Sequence, residues 1–271
     1  MPDCEVYFAK ITRGPQTGAF DRSFAEDILD ALDPSHQATR YQRRWRVSRP
    51  RHEVDFVVGK LGFVRTSPAA ETRYDEEEED FITAESVANE GSFSMFAIDT
   101  RTEIMAFEER PPYIRRQSFL GAFKSLLQAA DFRASVTLLP DPTEFREFVE
   151  SVDRIQRIRA VVFSPNPGFR QDARNFQEII ESANAQRAEL VAVAKGDGTL
   201  NADAPWVGGA LDQIASEGKG SLKGIGVREG HRRSWTLGAR LQVDVITEGD
   251  GTTQQEVWGW LMERLQRRFR G

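Results

Sequence analysis

Arginine is the residue type in this chain with the spacing to do chemistry, and its most organised run lies between Arg154 and Arg174. In RIQRIRAVVF, Arg157 and Arg159 sit two residues apart, out of phase with Ile158, Ala160 and Val162. Strand side chains alternate between faces, so this spacing predicts a strand with arginines on one side and a core on the other. Arg154 opens the same stretch. Ser164-Pro-Asn-Pro-Gly168 follows as a stiff turn, because proline fixes φ and glycine accepts a left-handed conformation. Arg170 and Arg174 then enter the first turn of a predicted helix, beside free backbone N–H groups. Cations at a helix N-terminus suit a phosphate better than a metal or a sugar. The alternative is a merely solvated face.

Three further basic groups accompany this one: Arg40–Arg51, Lys219–Arg240 (with Lys219, Lys223, Arg232 and Arg233), and Arg264–Arg270. Other chemistries find less to use. His36, His52 and His231 lie far apart in sequence, without transition-metal spacing, so no metal ligands and no cofactor are expected. There is no GxxxxGK[ST] motif. The segment Gly218–Gly226 resembles a phosphate loop in composition only, since it precedes a predicted strand. Glu53 and Asp55 with Lys60, and Glu189 with Lys195, are the nearest approaches to a metal-dependent nuclease. Cys4 and the serines have no base at motif spacing, so no catalytic residue is assigned. With no helix–turn–helix, zinc-finger or RNA-recognition signature, the arginines suggest sequence-tolerant contact with a phosphate backbone.

The positioning elements follow from periodicity. Strands are expected at Glu5–Ile11, Arg40–Ser48, His52–Arg65, Phe93–Asp99, Glu103–Glu109, Ala134–Leu139, Arg157–Phe163, Leu190–Ala194, Leu222–Arg228 and Arg233–Ile246. Tyr41, Trp45 and Val47 share one face of the second, and in the last Trp235, Leu237, Ala239, Leu241, Val243 and Val245 turn inward. Helices are expected at Phe20–Leu32, Tyr113–Ala130, Pro142–Val152, Asp172–Arg187, Ala204–Glu217 and Thr253–Phe269. The fold class is α+β, with mixed or antiparallel sheets, flanking helices and a C-terminal helix. The texture changes near Asp131, which divides the chain into domains at 1–131 and 132–251. Helix 252–271 is free to complete the first domain.

A hydrophobic content of 39%, with 18 Phe and 5 Trp, supports a packed core. The single cysteine permits no internal disulfide, and no apolar run approaches the ~20 residues that span a bilayer. A cytoplasmic location is therefore expected. The net charge of −6 misleads, because residues 71–90 hold nine acids against one base, Arg73. Outside that block, bases slightly outnumber acids.

Val161–Phe169, VVFSPNPGF, together with the hairpin Ser92–Glu109 and the order of elements around it, resembles the RexA proteins of temperate-phage Rex exclusion systems. Those run an apolar strand into Asn-Pro-x-Pro-x-Phe; here the prolines of Phe163–Phe169 are similar and the asparagine is displaced. The resemblance implies a two-domain homodimer with an RdgC-related fold that binds double-stranded DNA without sequence preference. It also implies a role in phage exclusion in a bacterial host, with no small-molecule substrate and with a RexB-like membrane effector as a further partner. Arg157, Arg159, Arg170 and Arg174 are then the foremost DNA contacts. A metal-dependent nuclease, or an interaction protein for which DNA is incidental, remains open.

The run Asp75–Asp80 is an internal rival for any polyanion. Deleting it is expected to tighten DNA binding in a gel-shift titration; unchanged or weaker binding would count against that competition.

Overall fold

The computed structural model describes residues 3–14, 22–65, 70–75, 80–85, 91–163, 185–249 and 251–270. In chain order the elements are β1 (Asp3–Arg13), α1 (Phe24–Ala31), β2 (Ala38–Arg40), β3 (Arg43–Glu53), β4 (Phe56–Arg65), β5 (Ala70–Asp75), β6 (Asp80–Glu85), β7 (Gly91–Asp99), β8 (Ile104–Glu108), α2 (Arg116–Ala129), β9 (Ala134–Leu138) and α3 (Thr143–Glu150). There follow β10 (Arg154–Phe163), β11 (Arg187–Val193), α4 (Pro205–Glu217), β12 (Ser221–Arg228), β13 (His231–Thr236), β14 (Val243–Thr247) and α5 (Gln254–Phe269). The fold is α+β with antiparallel sheets. An eight-stranded sheet runs β14-β1-β8-β7-β4-β3-β2, with β9 pairing β1 off that path, and a four-stranded sheet runs β11-β10-β12-β13. β5 and β6 pair with each other. Contacts group the chain into one unit of Met1–Tyr7, Arg13–Val136 and Asp244–Gly271, and a second of Phe8–Thr12 and Thr137–Val243. Among the described residues no helix is long and apolar enough to cross a membrane.

The first unit is held by an aromatic stack. Phe119 of α2 lies flat on Phe107 of β8 at 4.2 Å, and Phe123 meets Phe96 edge-on at 5.8 Å. Trp45, fully buried, packs on Phe63 at 5.0 Å. α5 starts with a reciprocal cap between Thr253 and Glu256, and buries Val257, Trp258, Leu261 and Leu265. Just beyond it, Arg270 clamps the β7–β8 turn. Its Nε and Nη2 donate to the Asp99 carboxylate at 2.6 and 2.8 Å, and its Nη1 to Asp55 at 3.0 Å. Asp99 has no solvent exposure, so this pairing stabilises a charge that would otherwise be costly to bury.

The second unit places both of its described helices on one side of the four-stranded sheet. Phe145 and Phe148 of α3, with Val207, Ala210 and Ile214 of α4, cluster on Ile155, Ile158, Ala160, Val162 and Leu222. β12 carries Gly224 and Gly226 on that side. A Cβ built on Gly224 would lie 2.4 Å from the Phe148 ring, and one on Gly226 2.7 Å from Val152. Glycine there is a condition of close helix–sheet packing.

Three expected strands are broken. Arg40–Ser48 turns at Tyr41 and Gln42, which take φ of 55° and 57°, so Tyr41 is 55% exposed and does not join Trp45 and Val47 in the core. His52–Arg65 turns at Val54 and Asp55, with Val54 at φ 54° and 88% exposed. Arg233–Ile246 divides into β13 and β14 around Gly238, whose φ is 108°. The phase shifts across that break, so Val243 and Val245 are 41% and 52% exposed while Ile246 is buried. Of the expected helix Asp172–Arg187, residues 172–184 lie outside the described residues, and Arg187 begins β11.

Gly224→Ala is expected to lower stability by about 1–3 kcal/mol through overpacking against Phe148. Gly208→Ala, in α4 with nothing within 4 Å of the new Cβ, is expected to raise it by about 0.5–1 kcal/mol. Urea denaturation of both variants checks the opposite signs.

Candidate polyanion-binding face

The side of the four-stranded sheet opposite α3 and α4 carries the cations. Ile155 and Ile158 are both buried although three residues apart, because the β10–β12 register shifts between Ile155 and Arg157. That bulge leaves Gln156 without a partner in the β12 ladder, and it brings Arg154 onto the same face as Arg157 and Arg159. Cross-strand register then sets three rows. Arg157 lies between Val193 and Ile225, and Ile225 next to Ser234. Arg159 lies between Val191 and Lys223, and Lys223 next to Thr236. Arg154 faces Val227, which faces Arg232. Val191 and Val193 are 45% and 68% exposed, while Val227 is buried between its two arginine neighbours, as when long cationic stems cover apolar strand residues.

Arg159 and Lys223 are therefore like charges directly opposite in the ladder, an arrangement that destabilises a sheet unless something compensates. Glu189 supplies part of that compensation. It takes Arg159 at 2.9 Å and Arg187 at 3.5 Å. The hydrogen bond from Arg159 holds the Glu189 carboxyl below its ordinary range. Desolvation opposes this, and the charges of Arg159, Arg187 and Arg157 add to the lowering. Arg154 takes the exposed Asp197 at 2.8 Å. Arg157, Lys223 and Arg232 are exposed and make no ion pair among the described residues.

The face thus gathers Arg154, Arg157, Arg159, Lys223 and Arg232. Arg233 does not belong to it. It pairs with Gly226, whose face is turned toward α3, so adjacent arginines on a strand end on opposite sides. Lys219 lies in the α4–β12 connection, half-buried, rather than on a strand. Arg170, Arg174 and the proline turn fall outside the described residues. Arg187, expected at the end of a helix, begins β11 instead and pairs with Phe163 of β10.

The carboxylates considered for nuclease chemistry are engaged elsewhere. Glu53 pairs with Arg51 at 2.6 Å, and Asp55 with Arg101 at 2.9 Å and with Arg270. Lys60 lies against the rings of Phe93 and Trp258. A different cluster, in the first unit, brings Cys4, Glu108 and Glu248 close enough for ligand atoms to lie within 4.8 Å of one another. Arg110 occupies it, bonded to Glu108 through Nε and to Glu248 through Nη2 at 2.5 Å. Burial pushes the Cys4 thiol up to about 12, with Glu108 adding to it, and burial raises the Glu108 carboxyl as well. The thiol is protonated and donates to the Glu109 carbonyl at 3.3 Å. A neutral thiol beside an arginine-bridged pair of carboxylates is an ion-pair clasp, not a cation-ready donor set.

The chain belongs to the family described as Domain of unknown function (DUF4747), whose model matches residues 30–236. That span contains all four strands of the cationic face and ends before α5. No curated protein matches the chain.

Cys4 is expected to resist a disulfide reagent at pH 8 in the folded protein and to react at once in denaturant. Rapid native-state labelling would show that the thiol is neither buried nor raised.

Proposed function

We propose that the open face of the four-stranded sheet grips the phosphate backbone of duplex DNA without reading its sequence, and that the protein is a binder and not an enzyme. The observation that carries this reading is the Arg159–Lys223 juxtaposition on the sheet face that neither described helix of this unit covers. Packing does not require it, electrostatics opposes it, and an anion laid across both side chains relieves it. Arg157 and Arg159 are two strand residues apart, about 7 Å, a spacing that suits successive contacts along a backbone. The rows that hold its cations display valine, isoleucine, serine and threonine; the exposed ring on this side, Phe163, stands past them at the end of β10, opposite Arg187. Glu189 then acts as a resident competitor for Arg159.

The phage-exclusion setting, the homodimer, the cytoplasmic location and the membrane-effector partner are proposals that rest on the resemblance of Val161–Phe169 and its surroundings.

A gel-shift titration tests the reading. With about five phosphate contacts, affinity is expected to fall by several hundredfold between about 50 and 200 mM salt, equally for unrelated duplexes. Arg157→Glu with Lys223→Glu should weaken all duplexes alike and flatten the salt slope by about two contacts. Glu189→Gln should tighten binding severalfold by releasing Arg159. No shift at low salt would overturn the proposal, and Mg²⁺-dependent degradation of the shifted DNA would replace it with a nuclease.

A further inference from the structure

The first unit carries a second cationic sheet face that the reading above does not use. Across β3, β4 and β7 the register aligns Arg44 with Val64 and Gly91, Arg46 with Gly62 and Phe93, and Ser48 with Lys60 and Met95. The opposite side of β3 carries Trp45 and Val47 into the aromatic core, so Arg44 and Arg46 are not needed for packing. α5 reaches this side near Lys60, where Trp258 donates to the Gly59 carbonyl at 3.2 Å.

Farther along, Phe93 is left 42% exposed. The Lys60 ammonium sits 4.8 Å from the centroid of the Phe93 ring. Gly62 lies beside that ring, and a Cβ there would come within 2.8 Å of the Ser92 carbonyl and 3.0 Å of the Phe93 Cβ, so the strip next to the ring stays bare. Arg44, Arg46 and Arg49 are exposed. None of them, nor Lys60, is in an ion pair among the described residues; Glu53, farther along β3, is committed to Arg51. Lys60 is 9% exposed and depends on aromatic rings for stabilisation.

We propose that this face is a binding site for single-stranded nucleic acid: one base stacks on Phe93 while the flanking phosphates take Arg44 and Arg46. Arg46 donates to the Gln37 side-chain oxygen at 3.1 Å. An exposed ring among cations that have no carboxylate partner among the described residues matches a ligand that offers a π-face and anions together, as unpaired nucleotides do. A duplex keeps its base faces stacked inside, and an acidic peptide would gain nothing from the ring. Arg44 and Arg46 are two residues apart on one strand, about 7 Å, which suits phosphates on either side of one nucleoside. Lys60 holds the ring in place from the α5 side. The site does not depend on the four-stranded sheet.

The test is fluorescence anisotropy of the full chain with a labelled oligothymidylate and with an abasic oligomer of the same length. The expected result is about tenfold tighter binding of the oligothymidylate. Phe93→Ala should abolish that preference, while Phe93→Trp should retain it and show quenching of the new indole on binding. Arg44→Glu with Arg46→Glu should weaken both probes. Arg157→Glu with Lys223→Glu, in the other unit, should leave the base preference intact, which separates failure of this site from failure of the duplex reading. Equal affinity for the two probes, or a preference that survives Phe93→Ala, would overturn the proposal. So would a Phe93→Trp variant that binds without quenching.

Discussion

The close approach of α3 to β12 is the constraint on which the character of the second unit depends. Gly224 and Gly226 remove two side chains from one face of the sheet, and Phe148 and Val152 fill the space. With α4 contributing Val207, Ala210 and Ile214 to the same cluster, Ile155, Ile158, Ala160 and Val162 of β10 find their partners on one side. An antiparallel sheet tolerates this, because its second face can remain in water. Once one face is committed, period-two alternation decides what the other displays, and here it displays arginine and lysine. The cationic face is thus a consequence of where the helices can pack.

Electrostatics divides the remaining arginines into two kinds. Arg110 and Arg270 sit with carboxylates that are nearly or wholly removed from water, Glu108 at 1% exposure and Asp99 at 0%. Such pairs cost desolvation and hold position; removing one partner leaves a buried charge. At Asp55 burial raises the carboxyl, but the hydrogen bond from Arg270 and the charges of Arg101 and Arg270 outweigh it and hold it low. These arginines are structural. Arg157 and Arg232, with Lys223 beside them, are of the other kind, exposed and without a carboxylate partner among the described residues.

Much of this was legible in the sequence where one period ran without interruption. The alternation of Ile158, Ala160 and Val162 against Arg157 and Arg159 predicted a face, and the burial of β10 follows it. The helix at Thr253–Phe269 was equally readable, since α5 runs Gln254–Phe269. What failed in the first half of the chain were turns made by residues that carry no turn signature. Tyr41, Gln42 and Val54 adopt positive φ in tight hairpins, a conformation that side-chain type argues against and strand pairing on both sides enforces. The Gln156 bulge was hidden for a related reason. A one-residue slip between partners is a property of the ladder, and the strand's own sequence carries no mark of it. That slip decides whether Arg154 joins the open face, and the Lys219–Arg233 group divides by alternation once β12 and β13 are placed.

The two cationic faces also show why charge alone does not define a ligand. Both are built on sheets whose other side is buried, and both carry arginines two residues apart on a single strand. They differ in what lies between the cations. On the four-stranded sheet the rows of cations are separated by Val191, Val193, Ile225, Ser234 and Thr236, and the exposed ring of Phe163 stands outside those rows, opposite Arg187. On the first unit Gly62 clears a strip and Phe93 occupies its edge. A flat aliphatic floor favours a ligand that presents phosphates alone, whereas a ring held by a lysine favours one that presents a base with them. The two proposals therefore differ through the uncharged residues of each face, since arginine supplies only a general attraction for anions.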